Sequence, residues 1–67
     1  MKFVQIRETN FDGHERTVWV DPAAVCLVQE TSEHNPHINT VVYLKNGEYI
    51  QTTEFSSSVL IKLGITT

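Results

Sequence analysis

The sequence predicts a mainly β, small α+β fold: an antiparallel sheet of four to five strands with one short C-terminal helix. Three observations carry that expectation. Val, Ile and Thr supply 21 of the 67 residues, and such branched side chains favour a pleated surface over a helix. Turn-forming pairs, Asp12-Gly13, Asp21-Pro22 and Asn46-Gly47, punctuate the apolar runs. Near the C-terminus Val59, Leu60 and Leu63 form a stripe at helical spacing. With 40% of the chain hydrophobic and 19% charged, residues 1–67 make one small globular domain rather than a disordered tail.

Lys2 to Glu8 alternates, Val4 and Ile6 to one face and Phe3 and Gln5 to the other, and forms the first strand. Residues 10–15 turn the chain, and Arg16 to Val20 completes a hairpin. Asp21 then caps a single turn with Pro22 at its first position, where no N–H is needed. Val25 to Glu30 is the third strand. Its unbroken apolar start implies cover on both faces, with Cys26 packed inside as an inert small hydrophobe. Residues 31–37 are a polar loop, and Ile38 to Lys45 is the fourth strand.

Asn46-Gly47 favours a two-residue type I′ turn, which sets a register. Lys45 then faces Glu48, Leu44 faces Tyr49, Tyr43 faces Ile50, Val42 faces Gln51 and Val41 faces Thr52. Leu44, Tyr49 and Val42 share one side of the sheet, and Tyr43, Ile50 and Val41 the other. Both sides are apolar, so one meets the rest of the fold and the other needs the helix or a second chain. The helix starts at Ser56 as N-cap, with Phe55 stapled on Leu60. Gly64 closes it, and Ile65 folds back towards Leu60. About two turns of helix need tertiary packing to persist.

The formal net charge is −3 and basic residues do not cluster, which argues against nucleic acid as a partner. The alternating N-terminal segment predicts neither a signal peptide nor a membrane span, and one cysteine without a disulfide framework points to the cytoplasm. A chain of about 60 residues buries only about 60% of its unfolded surface. Open strand edges and two apolar faces therefore predict a homo-oligomer, a dimer or higher, most simply two-fold.

Sparse chemistry is on offer. Gly13, Gly47 and Gly64 are isolated, so no Gly-rich loop cradles phosphate. The Ser56-Ser57-Ser58 run is explained by a helix start, and no nucleophile elbow surrounds it. No catalytic residue, metal site or cofactor is expected. His34 and His37, spaced His-x-x-His around Pro36, offer two nitrogens and define the alternative, a minimal metal-binding or hydrolytic protein. Trp19, Tyr43 and Tyr49 either fill the core or present flat amphipathic surfaces to a partner. Arg7 and Arg16 flank the first hairpin and could hold an anionic group. A small anionic, nucleotide-like ligand would be sequestered between subunits, clasped by these side chains and the 31–37 loop.

Val18-Trp19-Val20-Asp21-Pro22-Ala23-Ala24-Val25, then Val41 to Ile50 around Asn46-Gly47 and the short Ser-rich helix, resembles the small FlbD-like flagellar proteins. It is also similar to short bacterial and phage proteins with the same order of turns and strands. The resemblance spans roughly residues 18–64 and implies a non-enzymatic regulatory or adaptor role without transferring any catalytic residue. The functional expectation is a small oligomeric binding protein, a bacterial or phage regulator or inhibitor, whose partner is a protein or a small anion.

Overall fold

The computed structural model describes residues 3–31 and 37–64. Strands β1 (Val4–Thr9), β2 (Glu15–Val20), β3 (Val25–Glu30), β4 (Thr40–Leu44) and β5 (Tyr49–Thr52) precede one helix, α1 (Ser56–Lys62). All five strands belong to a single antiparallel sheet ordered β2-β1-β5-β4-β3. The fold class is the one the sequence predicts. Lys2 and Ile65, assigned to the first strand and the helix ending, lie outside the described residues.

Topology forces the sheet to curl. β2 and β3 are its two edges, yet only residues 21–24 join them. A flat sheet would hold these edges about 19 Å apart, four spacings of about 4.8 Å. The link contains a 3-10 turn over Pro22–Ala24, which rises only about 2 Å per residue and falls short of that span. Val20 and Val25, the ends of the link, accordingly pack into one core. The turn itself is built as expected: Asp21 accepts from the Ala23 N–H at 3.0 Å, with Pro22 at the first position.

The two hairpins close in the same way, which corrects the predicted register. In the second, Gly47 N–H donates to the Leu44 carbonyl and Leu44 N–H to the Glu48 carbonyl. In the first, Gly13 N–H donates to Asn10 and Asn10 N–H to His14. Each loop is thus three residues ending in a glycine with positive φ, +91° at Gly47 and +85° at Gly13, the geometry of a type I turn with a bulge. A type I′ turn would also need positive φ at Asn46, and among the described residues only glycines adopt it. Asn46 instead uses its Oδ1 to accept from Glu48 N–H.

The pairs are therefore Tyr43 with Tyr49, Val42 with Ile50, Val41 with Gln51 and Thr40 with Thr52, one residue out from the expected set. A slip of one exchanges the faces of a whole strand: Ile50 turns inward and Tyr49 outward. The concave side gathers Ile6, Val20, Val42 and Ile50 from the sheet with Val59 and Leu63 from α1, and Val4, Val18, Val25, Val28 and Leu44 pack around them.

Three further expectations are corrected. β3 is an edge strand, not a doubly covered one, and Leu27 is 52% exposed. Cys26 is exposed, because a register shift between Val25 and Leu27 leaves it as the extra, unpaired residue of a bulge. At the helix, Phe55 occupies the N-cap in extended conformation with no side-chain cap, and at 68% exposure it staples nothing. Ser56 is the first helical residue, and its hydroxyl donates to Glu30 at the end of β3. Gly64 ends the helix with φ +77° as expected.

A polar knot fixes where α1 starts. Thr40 and Thr52 are buried opposite each other. Thr40 Oγ1 donates to the Glu54 carbonyl at 2.7 Å, Thr52 Oγ1 accepts from Glu54 N–H at 3.1 Å, and Asn39 Nδ2 donates to the Thr53 carbonyl at 2.7 Å. The threonine hydroxyls thus partner main-chain groups of the turn between β5 and α1.

Candidate functional site

Curling leaves a cleft between β2 and the β4–β5 hairpin. It has a volume of about 650 Å³, a floor that includes Val18, Val20 and Ile50, and walls carrying Arg16, Trp19 and Tyr49. Trp19 is 64% exposed and Tyr49 55%, which settles the choice left open by the sequence: both rings face the surface. Tyr43 lies half-buried beside Tyr49 across the β4–β5 pair, the ring centroids 6.2 Å apart at an interplanar angle of 37°. Leu27 is paired with Tyr43, so one row of large side chains, Leu27-Tyr43-Tyr49, crosses the outer face from the β3 edge.

Arginine is already engaged here. Arg16 Nε donates to Glu8 Oε1 at 2.5 Å, and the cleft also includes Asp21 and Glu48. Three carboxylates against one paired guanidinium make a wall that repels small anions. Arg7 stands apart from this cleft. Its guanidinium is 3.9 Å from Glu15, and it borders a second hollow of about 600 Å³ with Val4, Gln5, Thr53, Glu54 and Lys62.

In that second hollow Glu54 receives the Lys62 ammonium at 2.5 Å and the Arg7 backbone N–H at 3.2 Å. Burial pushes the Glu54 carboxyl up, but the hydrogen bonds from Lys62 and Arg7 and the charges of both outweigh it and hold the group below its ordinary value. Lys62 Nζ also donates to the Gln5 carbonyl. The cluster clamps α1 to β1, and its polar groups are spent on one another.

Of the two loop histidines, His34 lies outside the described residues. His37 is exposed, and its ring sits against Gly13, where an added Cβ would come within 3.0 Å of it. The first turn and the residue closing the 31–37 loop thus touch. Among the described residues no group of three or more His, Cys, Asp or Glu side chains is placed to hold a metal, and no helix is long and apolar enough to cross a membrane.

The structure therefore brings Arg16, Trp19 and Tyr49 together, adds Tyr43 on the adjoining outer face, and leaves Arg7 and His37 elsewhere. Sequence reasoning missed Leu27 as part of the surface, since its edge position follows only from topology. Comparison with known proteins finds no family that matches the chain, no curated relative and no similar solved structure.

Proposed function

We propose that this chain is a non-enzymatic, oligomeric binding protein that acts by covering its exposed apolar surface with protein, as a cytoplasmic regulator or inhibitor of bacterial or phage origin. One observation carries the reading. Leu27, Tyr43 and Tyr49 run side by side across the sheet and Trp19 lines the same cleft as Tyr49, with Leu27, Tyr49 and Trp19 each more than half exposed, and a contiguous exposed apolar patch marks a protein interface. Tyr and Trp at the cleft are the residue types that carry binding energy at such surfaces. The acidic wall of the cleft favours a protein partner over a small anion. The likeness to FlbD-like proteins supports the regulatory role.

Native mass spectrometry joined to sedimentation at micromolar concentration tests the reading. Species of two or more copies, with or without a second protein, are expected. A single 7.6 kDa species at every concentration, binding nothing when purified from its host, contradicts it.

A further inference from the structure

The cleft beside β2 and the hollow at Glu54 both carry carboxylates, and they differ in what is left to pair. In the hollow Glu54 already has the Lys62 ammonium, and Arg7 has Glu15. In the cleft Arg16 is taken by Glu8, while Asp21 and Glu48 border the same space. Among the described residues no Lys or Arg side chain forms an ion pair with either of these two. Asp21 uses Oδ1 to accept from the Ala23 N–H, which holds it at the head of the 3-10 turn, and a carboxylate keeps lone pairs for further donors. Glu48 is exposed beside the bulged turn, its main-chain N–H bonded to Asn46.

The remaining walls narrow the choice of occupant. Trp19 and Tyr49 are mostly exposed, and the faces of such rings attract cations. The floor that includes Val18, Val20 and Ile50 suits an aliphatic stem. A neutral apolar segment would bury two carboxylates without donors, at a cost in desolvation. Aromatic walls, an apolar floor and an acidic rim together match a flat cation on an aliphatic stem. Arginine has that form: its guanidinium is always charged, stacks on aromatic rings and pairs with carboxylates. The cleft's own Arg16 already shows such a pairing with Glu8.

We propose that the cleft between β2 and the β4–β5 hairpin takes an arginine side chain from a basic segment of a partner protein, its guanidinium held among Trp19, Tyr49, Asp21 and Glu48. The inference rests on the protein-binding reading above and names the chemistry of the partner. Arg16 opposes the incoming cation, so its removal strengthens the contact.

Trp19 is the chain's one tryptophan, and its fluorescence reports occupancy of the cleft. The probe is a capped Gly-Leu-Arg-Leu-Gly peptide titrated into the full chain, beside the same peptide with citrulline, which keeps the shape of arginine and loses the charge. The arginine peptide is expected to saturate the signal and to bind about tenfold more tightly than the citrulline peptide. Asp21→Asn, which preserves the cap, and Glu48→Gln are each expected to weaken it about threefold, and Arg16→Gln to tighten it about threefold. Circular dichroism confirms the fold of each variant. Equal binding of the two peptides overturns the proposal, as does the absence of a saturable signal or indifference to all three substitutions. Capped arginine alone binding as tightly as the peptide overturns a protein as its source. The two readings fail separately: if the arginine site falls while native mass spectrometry still finds the chain with further copies or a second protein, the reading above stands on another surface.

Discussion

β2 and β3 are six-residue strands at the two edges of one sheet, separated by four residues of chain, and they manage exposure in opposite ways. β2 spends Glu15 and Arg16 on ion pairs to Arg7 and Glu8, and its exposed Trp19 borders a recessed cleft. β3 has no charge until Glu30, and it carries an exposed thiol and an exposed Leu27. What separates them is side-chain chemistry.

The largest expected effect lies beneath both strands, at the core they share. Ile6 is fully buried between them, and Ile6→Ala is expected to lower unfolding stability by about 2–5 kcal/mol. Urea melts monitored by circular dichroism check this. An unaltered midpoint would mean that the inner face does not hold the edges together.

A matched pair of substitutions sharpens the contrast itself. Leu27→Lys on β3 is expected to disperse the oligomer, whereas Thr17→Lys, at an exposed position of β2, leaves it intact. Size-exclusion chromatography with light scattering reads both. Equal behaviour of the two variants would erase the distinction between the edges.

The bulged hairpin turn between β4 and β5 comes next. Gly47 has positive φ with open space around it, so Gly47→Ala is expected to cost about 1 kcal/mol from backbone strain alone. Asn46→Ala loses an Oδ1 bond to Glu48 at the surface and is expected to cost less than that. A type I′ turn would make Asn46 the more sensitive of the two when β-branched residues are placed there.

The smallest effect is electrostatic. Glu54 titrates below its ordinary value of 4.5 in the folded chain, so the unfolded state binds more protons as the solution turns acid. Its contribution is therefore complete above that ordinary value and is lost as pH falls through the depressed one. Glu54→Gln is expected to flatten the acid limb of the stability curve, and an unchanged limb would show that the Lys62 clamp contributes nothing.

Much of this fold is legible in the sequence because local chemistry and tertiary structure agree. Asp21 and Pro22 specify the 3-10 turn by themselves, and Val4 and Ile6 mark an inward face that the structure keeps. The second hairpin misleads because Asn-Gly serves two turn types that differ by one residue of register. The choice falls to distant packing: facing Val42 with Ile50 places an aliphatic chain against Val59 and Leu63 and leaves Tyr49 exposed. Ser56 misleads for a related reason. Its hydroxyl finds the Glu30 carboxylate 26 residues away, and no short-range rule contains that partner.

The side chains of the candidate site are legible in residue type but not in place. Trp19, Tyr49 and Arg16 stand out by residue type, and the structure gathers them along one cleft. The Arg16 pairing with Glu8 depends on the β1–β2 register, which residue type alone does not contain. The sequence places Cys26 and Leu27 in a core because an unbroken apolar run looks the same on a central strand and on an edge. Only the strand order decides between them.

Thr31 N–H bonds to Asn39, so by antiparallel alternation the Val28 and Glu30 amides point away from β4, and their hydrogen exchange, followed from dilute to concentrated protein, tests whether copies meet at this edge. Slowing of both as concentration rises, with the amides of β2 unaffected, is the predicted result. Exchange at Val28 and Glu30 that stays fast at every concentration would contradict the account.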